Sequence, residues 1–274
     1  MKSAAFEHLR AASIGEAAAL LAEGETRLLA GGQSLGPMLN LRLARPRRLV
    51  DVKRIPALRA LAADARMLRL GAGWTHAEIE DGVVEDSTRG LLRHVAHGIA
   101  YRAVRNRGTI GGSLAHADPA ADWLATLVGL GATVTIEGRA GEQRRLAVEK
   151  FCHGAFATDL AEDEVLEAVE LPRLSPQARW GYHKICRKTG EFAKAIGIAV
   201  LDPGRGLARI VAGAVDGPPV LLPESSAALL ASGAAAAGAA LPEEVALRLA
   251  HLPAAEQALR LVALRRALAG LAGA

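Results

Sequence analysis

Short apolar runs bounded by glycine, proline or charged residues fill the first half of the chain. Thr26 to Ala30, Arg48 to Val52 and Met67 to Leu70 have this form, which predicts short buried strands. Between them, Ile14 to Ala22 repeats apolar residues at helical spacing behind Ser13, a good N-cap, and Leu91 to Gly98 predicts a second helix closed by glycine. Strand-like runs return at Thr133 to Glu137 and Val165 to Leu171, and this region closes at Pro172 and Pro176. Beyond it the pattern predicts three strands, Arg179 to Cys186, Ala195 to Leu201 and Ala208 to Ala214, followed by helices rich in Ala and Leu. In the last helix Leu261, Leu264, Leu268 and Leu271 form a core-facing stripe, with Arg260, Arg265 and Arg266 expected off it. The Ala/Gly stretch Ser232 to Ala240 is expected to be a loose connection. The class is α+β, with residues 1–175 forming one unit and 176–274 a smaller one.

The chain has 274 residues, 51% of them apolar, enough for one generous core or two smaller ones. Lys and Arg number 33 against 29 Asp and Glu, with no long block of one sign, so no dedicated nucleic-acid surface is expected. Charged residues interrupt every apolar stretch before it reaches the roughly 18–20 residues needed to span a bilayer, so no transmembrane segment is expected. Cys152 and Cys186 lie far apart, which excludes a disulfide framework or a cysteine-ligated cluster. With no secretory leader recognisable, the expected compartment is the reducing cytoplasm.

Two glycine-rich segments carry the candidate chemistry. The first is Ala30, Gly31, Gly32, Gln33, Ser34 and Leu35, directly after a strand; the second runs from Thr109 through Gly111, Gly112 and Ser113 to Asp122. Paired glycines let the backbone approach an anion and permit positive φ, so such loops make phosphate cradles, and Ser34, Thr109 and Ser113 add hydroxyl donors. Taken singly, each reads more simply as a tight turn; together they shift the balance towards a cradle. Gly71-Ala72-Gly73 lacks the third glycine of a G-x-G-x-x-G fingerprint, and no P-loop pattern exists, so neither dinucleotide nor NTPase folds of those types are indicated.

Asp118 followed by Pro119 reads as a helix start, with Trp123, Leu124, Leu127, Val128 and Leu130 as its buried face. Asp122, one turn on, has two readings: an acceptor for sugar or ribityl hydroxyls, or a first-turn acid favoured by the helix dipole. Arg102, Arg105 and Arg107 flank the second segment and either neutralise phosphate, face an acidic partner, or form a solvated basic face. His94 and His97 are spaced for a shared metal but lack further ligands nearby, and both cysteines read as buried apolar residues.

Read as AGGQSLGPMLNLRLARPRRLVDV at 30–52 and RNRGTIGGSLAHADPAAD at 105–122, the two segments resemble the FAD-binding medium subunit of the molybdenum hydroxylases, the xanthine dehydrogenase and carbon monoxide dehydrogenase family. A third segment, YHKICRKTGEFAKAIGIAV at 182–200, is similar to the opening of that family's C-terminal flavoprotein domain. The resemblance implies an FAD-binding fold of the vanillyl-alcohol-oxidase type, with α+β subdomains at about 1–55 and 56–175. A C-terminal α+β domain with a three-stranded antiparallel sheet and helices would follow. It implies that Ala30 to Leu35 and Thr109, Gly111, Gly112 and Ser113 wrap the FAD diphosphate. Asp122 would contact the sugar or ribityl chain, Ile99 and Leu166 would give apolar contacts near flavin or adenine, and Tyr182 and Lys184 would lie near the isoalloxazine edge. It further implies a large molybdopterin subunit and a small subunit with 2Fe–2S clusters as partners, in a dimer of heterotrimers, with FAD passing electrons to an external acceptor. No side chain is assigned as catalytic. The sequence departs from the family at Gly190-Glu191, where Gly-Asp is more frequent, and it shows no cysteine-bearing insertion between Leu114 and Asp122. The competing expectation is a free-standing FAD-dependent oxidase of the same fold.

Overall fold

A computed structural model of the chain describes residues 2–271. The first unit runs β1 (Glu7–Arg10), α1 (Ile14–Ala22), β2 (Thr26–Leu29), α2 (Leu35–Asn40) and β3 (Arg48–Asp51). Helical crossovers allow parallel pairing, and the sheet order is β1-β3-β2 with β3 in the middle. Ser13 caps α1 as expected, its hydroxyl accepting the Glu16 N–H at 3.1 Å.

The second unit contains β4 (Leu61–Ala63), β5 (Met67–Gly71), α3 (His76–Glu80), α4 (Leu91–Gly98), α5 (Arg102–Arg105), α6 (Ile110–His116) and α7 (Asp122–Leu130). It continues through β6 (Thr133–Gly138), β7 (Gln143–Ala147), α8 (Val148–Phe151), β8 (Cys152–Gly154), β9 (Ala157–Thr158) and β10 (Glu164–Pro172). Its main sheet has the order β4-β5-β10-β6-β7, antiparallel throughout, with β10 central. Every residue of α7 is buried, which its apolar composition on all sides requires. The helix begins at Asp122 rather than at Pro119. The Asp118 carboxylate instead accepts the Ala120 N–H at 2.9 Å, closing a local turn ahead of the helix.

The third unit has β11 (Arg179–Ile185), β12 (Ala195–Asp202), β13 (Leu207–Gly213) and β14 (Val220–Leu221), then α9 (Pro223–Ser232), α10 (Ala234–Arg248) and α11 (Ala254–Gly270). Its antiparallel sheet therefore has four strands in the order β11-β12-β13-β14, not three; the fourth pairs only two residues, too few to leave a period in the sequence. The stretch expected to be loose is helical on both sides of a single break at Gly233, because alanine is the strongest helix former and low complexity does not weaken it. Arg260, expected off the leucine stripe, is buried. It lies four residues before Leu264 and so on the stripe, 3% exposed, with Nε donating to the Ala214 carbonyl at 3.0 Å.

Two apolar cores share one wall. Ile196, Ile198 and Val200 of β12 join the core that includes Trp123, Leu127, Leu70 and Val169. Ala199 and Leu201, on the other face of the same strand, pack in the core of α9, α10 and α11.

Candidate functional site

The two glycine segments meet at the junction of the first and second units. Gly31 lies so close to the second segment that a Cβ there would stand 2.0 Å from the Arg107 carbonyl oxygen and 2.7 Å from the Gly108 Cα. A Cβ on Gly112 would lie 3.8 Å from the Ala30 Cβ. Of the paired glycines only Gly32 takes a positive φ, at +71°; Ala117, closing α6 further on, takes +49°. The second segment is not a loop: Thr109 is the N-cap of α6, its hydroxyl accepting the Gly112 N–H at 3.0 Å, and Gly111 and Gly112 lie in the first turn. Glycine at 111 serves close approach, since a Cβ would stand 2.3 Å from that of Ala72.

That approach links the segment to the central strand. The β5–β10 ladder runs one step past Ala168 and Gly71: the Glu167 carbonyl accepts the Ala72 N–H at 2.8 Å, and the Ala72 carbonyl in turn accepts the Gly111 N–H at 2.9 Å. Leu166 itself faces the core, 5% exposed. On the first segment, Gln33 folds back to donate its side-chain amide to the Gly31 carbonyl at 3.1 Å. Ser34 precedes α2 without forming a side-chain cap, and Leu35 opens that helix.

Asp122, Tyr182 and Lys184 converge across the second and third units. The Tyr182 hydroxyl donates to the Asp122 carboxylate, and Lys184 Nζ lies 3.0 Å from it and 3.3 Å from the Gly98 carbonyl, next to Ile99. The Asp122 and Lys184 side chains are 7% and 10% exposed. Burial raises the Asp122 pKa, opposed by the Lys184 charge and the Tyr182 hydrogen bond; burial together with the Asp122 charge pushes the Tyr182 phenol well above its usual value. No local signal announces this pairing: Asp122 and Lys184 are distant in sequence, and the packing of β11 on the second unit brings them together.

A cleft of about 300 Å³ opens where the glycine segments meet, and Gly31, Lys53, Arg59, Glu78, Arg107 and Thr109 line it. Arg59 binds Glu78 bidentately at 2.6 and 2.8 Å and lies over Trp74, 3.9 Å from the ring centroid. Its hydrogen bonds hold the Glu78 carboxyl down at about 2 despite partial burial, so Glu78 stays ionised and neutralised by its partner. Lys53 is likewise paired, its ammonium 3.3 Å from the Asp51 carboxylate, so Arg107 gives the cleft the net positive charge that suits an anion. Lys53 and Arg59 carried no sequence signal, since each stands alone outside any motif.

Of the three arginines flanking the second segment, only Arg107 borders the cleft. Arg102 pairs with Glu80 and Asp81, and Arg105 is buried against Glu80. His94 packs between the rings of Trp180 and Tyr182, and His97 pairs with Glu80 at 2.8 Å. No group of three metal-ligating side chains exists among the described residues. Cys152 is buried, as expected, with its thiol pKa raised by burial; Cys186 is half-buried. No helix among the described residues is long and apolar enough to cross a membrane.

A family model for the FAD binding domain in molybdopterin dehydrogenase matches residues 4–174. The carbon monoxide dehydrogenase medium chain of Hydrogenophaga pseudoflava is 38% identical over 198 residues, covering 72% of this chain and 68% of its own. The caffeine dehydrogenase subunit beta of Pseudomonas sp. (strain CBB1) is 34% identical over 203 residues, covering 73% of this chain and 68% of its own. The solved structure of the Hydrogenophaga pseudoflava carbon monoxide dehydrogenase, in a form lacking the Mo-pyranopterin moiety, superposes with a TM-score of 0.90 at 32% identity, covering 100% of this chain and 99% of that one. The match takes in both glycine segments and Asp122, and the chain belongs to the family of FAD-binding medium subunits of the molybdenum hydroxylases.

Proposed function

We propose that this chain is the flavin-bearing subunit of a heterotrimer in which a large molybdopterin subunit oxidises the substrate and a small subunit carries electrons through 2Fe–2S clusters. The FAD of this chain delivers them to an external acceptor, and two heterotrimers pair in the cytoplasm. The medium-chain and subunit-beta names of its relatives support a multisubunit assembly. The observation that carries the reading is the meeting of Gly31 with Arg107 and Gly108 at the start of α6, beside the cationic cleft.

In this reading residues 1–175 hold the dinucleotide and 176–274 close over its flavin end. Backbone N–H groups of Ala30 to Leu35 face the diphosphate from one side; on the other, where the N–H groups of Gly111, Gly112 and Ser113 already bond Ala72 and Thr109, the two glycines allow close approach, the Ser113 hydroxyl is the donor, and Arg107 adds the charge that neutral donors lack. Thr109 fixes the α6 start on which Gly112 stands. Asp122, already holding Tyr182 and Lys184, would accept hydrogen bonds from hydroxyls of the ribityl or sugar chain; Tyr182 and Lys184 would border the isoalloxazine, and Ile99 and Leu166 would give apolar contact. When bound, FAD supplies the exchange between one- and two-electron steps; the protein orients it, sets its electrostatics and excludes water. No side chain of this chain moves a proton in the scheme.

Purification of the full chain with its partners tests this. The expected result is a yellow-brown complex with FAD equimolar to this chain, bleached by dithionite, that also contains molybdenum and iron. A colourless chain that takes up no FAD, or an active flavoprotein free of iron and molybdenum, would overturn it.

A further inference from the structure

The turn from Gly98 to Tyr101 is gripped from two sides. From the second unit, Arg105, 8% exposed, directs Nη1 to the carbonyl oxygens of Ile99 at 3.0 Å and Ala100 at 3.1 Å. Its remaining fork, Nε and Nη2, lies on the two Glu80 oxygens at 2.7 and 3.1 Å. From the third unit, Lys184 donates to the Gly98 carbonyl while bound to Asp122. Gly190, at φ +87°, fits against Tyr101 where a Cβ would stand 2.9 Å from the ring. Ala100 itself sits at φ +43°, a left-handed conformation that a residue with a Cβ adopts only when its surroundings enforce it.

Accepting the reading of this chain as a flavin subunit, we propose that Arg105, oriented by Glu80, is a positioning residue for the flavin. By clamping two successive carbonyls it holds the strained turn in the one shape that Lys184 and Gly190 close upon, and so sets where the Asp122, Lys184 and Tyr182 cluster meets the cofactor. Only the guanidinium has the planar fork to serve two backbone acceptors and two carboxylate oxygens at once; an ammonium on the same stem reaches a subset. Glu80 also binds His97 and Arg102 on its outer side, at 2.8 and 2.9 Å, which fixes the carboxylate that orients Arg105.

The test compares Arg105→Lys, Glu80→Gln and the double variant Arg105→Lys/Ala100→Gly with the wild-type complex, reading visible-region flavin circular dichroism and FAD affinity well below each unfolding midpoint. Arg105→Lys is expected to alter the flavin dichroism and weaken FAD retention at least tenfold. Adding Ala100→Gly, which adopts positive φ without strain, is expected to restore the dichroism. Glu80→Gln should shift it in the same direction as Arg105→Lys, and answers the question if Arg105→Lys does not fold. Wild-type dichroism and affinity in the folded single variants, or no recovery in the double variant, would make Arg105 a purely structural ion-pair partner and overturn the proposal. A wild-type chain that takes up no FAD would instead defeat the flavin reading on which it rests.

Discussion

The Lys184 ammonium lies 3.0 Å from the Asp122 carboxylate, joining β11 of the third unit to the first turn of α7 in the second. Both groups are nearly excluded from water, so neither tolerates loss of the other. Lys184→Met should therefore lower stability by about 3–5 kcal/mol, the usual cost of leaving one buried charge unpaired. The loss should depend on pH. Burial already raises the Asp122 pKa, and removing Lys184 takes away the largest opposing influence. A carboxyl whose pKa rises on folding takes up a proton as the chain folds, so stability falls as pH rises from the unfolded value towards the folded one. Denaturant titrations should show the Lys184→Met defect shrinking from pH 8 to pH 5; a defect independent of pH would contradict the pairing.

Gly31→Val should separate the glycine segments, because any Cβ there meets the Arg107 carbonyl. The expected product is a folded chain by far-ultraviolet dichroism with FAD affinity lowered about 10- to 100-fold, the equivalent of an overpacking strain of about 1–3 kcal/mol. Cys152→Ser, at a buried thiol that donates to the Gly154 carbonyl within its own hairpin, should leave flavin content unchanged.

Thr109→Ala removes the hydroxyl that accepts the Gly112 N–H. Stability should fall by about 1 kcal/mol, as for other lost N-caps, and Thr109→Ser should restore most of it. Chemical denaturation with the slope held fixed measures both.

His76 is 5% exposed, and its Nδ1 accepts the Trp123 indole N–H at 3.0 Å. Burial, with the Arg105 charge acting in the same direction, lowers its pKa from 6.5 to about 4. A histidine kept neutral by folding gives stability that is complete above pH ~6.5 and lost as pH falls towards ~4, by up to about 3 kcal/mol. His76→Asn retains an acceptor for Trp123 and cannot titrate in this range, so its stability profile should be flatter between those limits.

Much of this was legible in the chain. Ile14–Ala22 and Leu91–Gly98 were delimited by a capping serine and a terminal glycine, signals that act within one turn, and both glycine segments stood out by composition. The rest depends on contacts distant in sequence. Nothing near Asp122 announces Tyr182 or Lys184, and nothing near Arg105 announces that its fork closes on Glu80. The later start of α7 has a local cause: Asp118 and Pro119 suit a turn as well as a helix cap, and the chain uses them for the turn.

The shared strand β12 carries a consequence for how the molecule comes apart. Because its odd and even residues belong to different cores, melting either one strips the other of a side. Heating should give a single calorimetric transition spanning all three units, and a fragment cut near residue 175 should expose the apolar surface of α7 and aggregate rather than persist as an independent half.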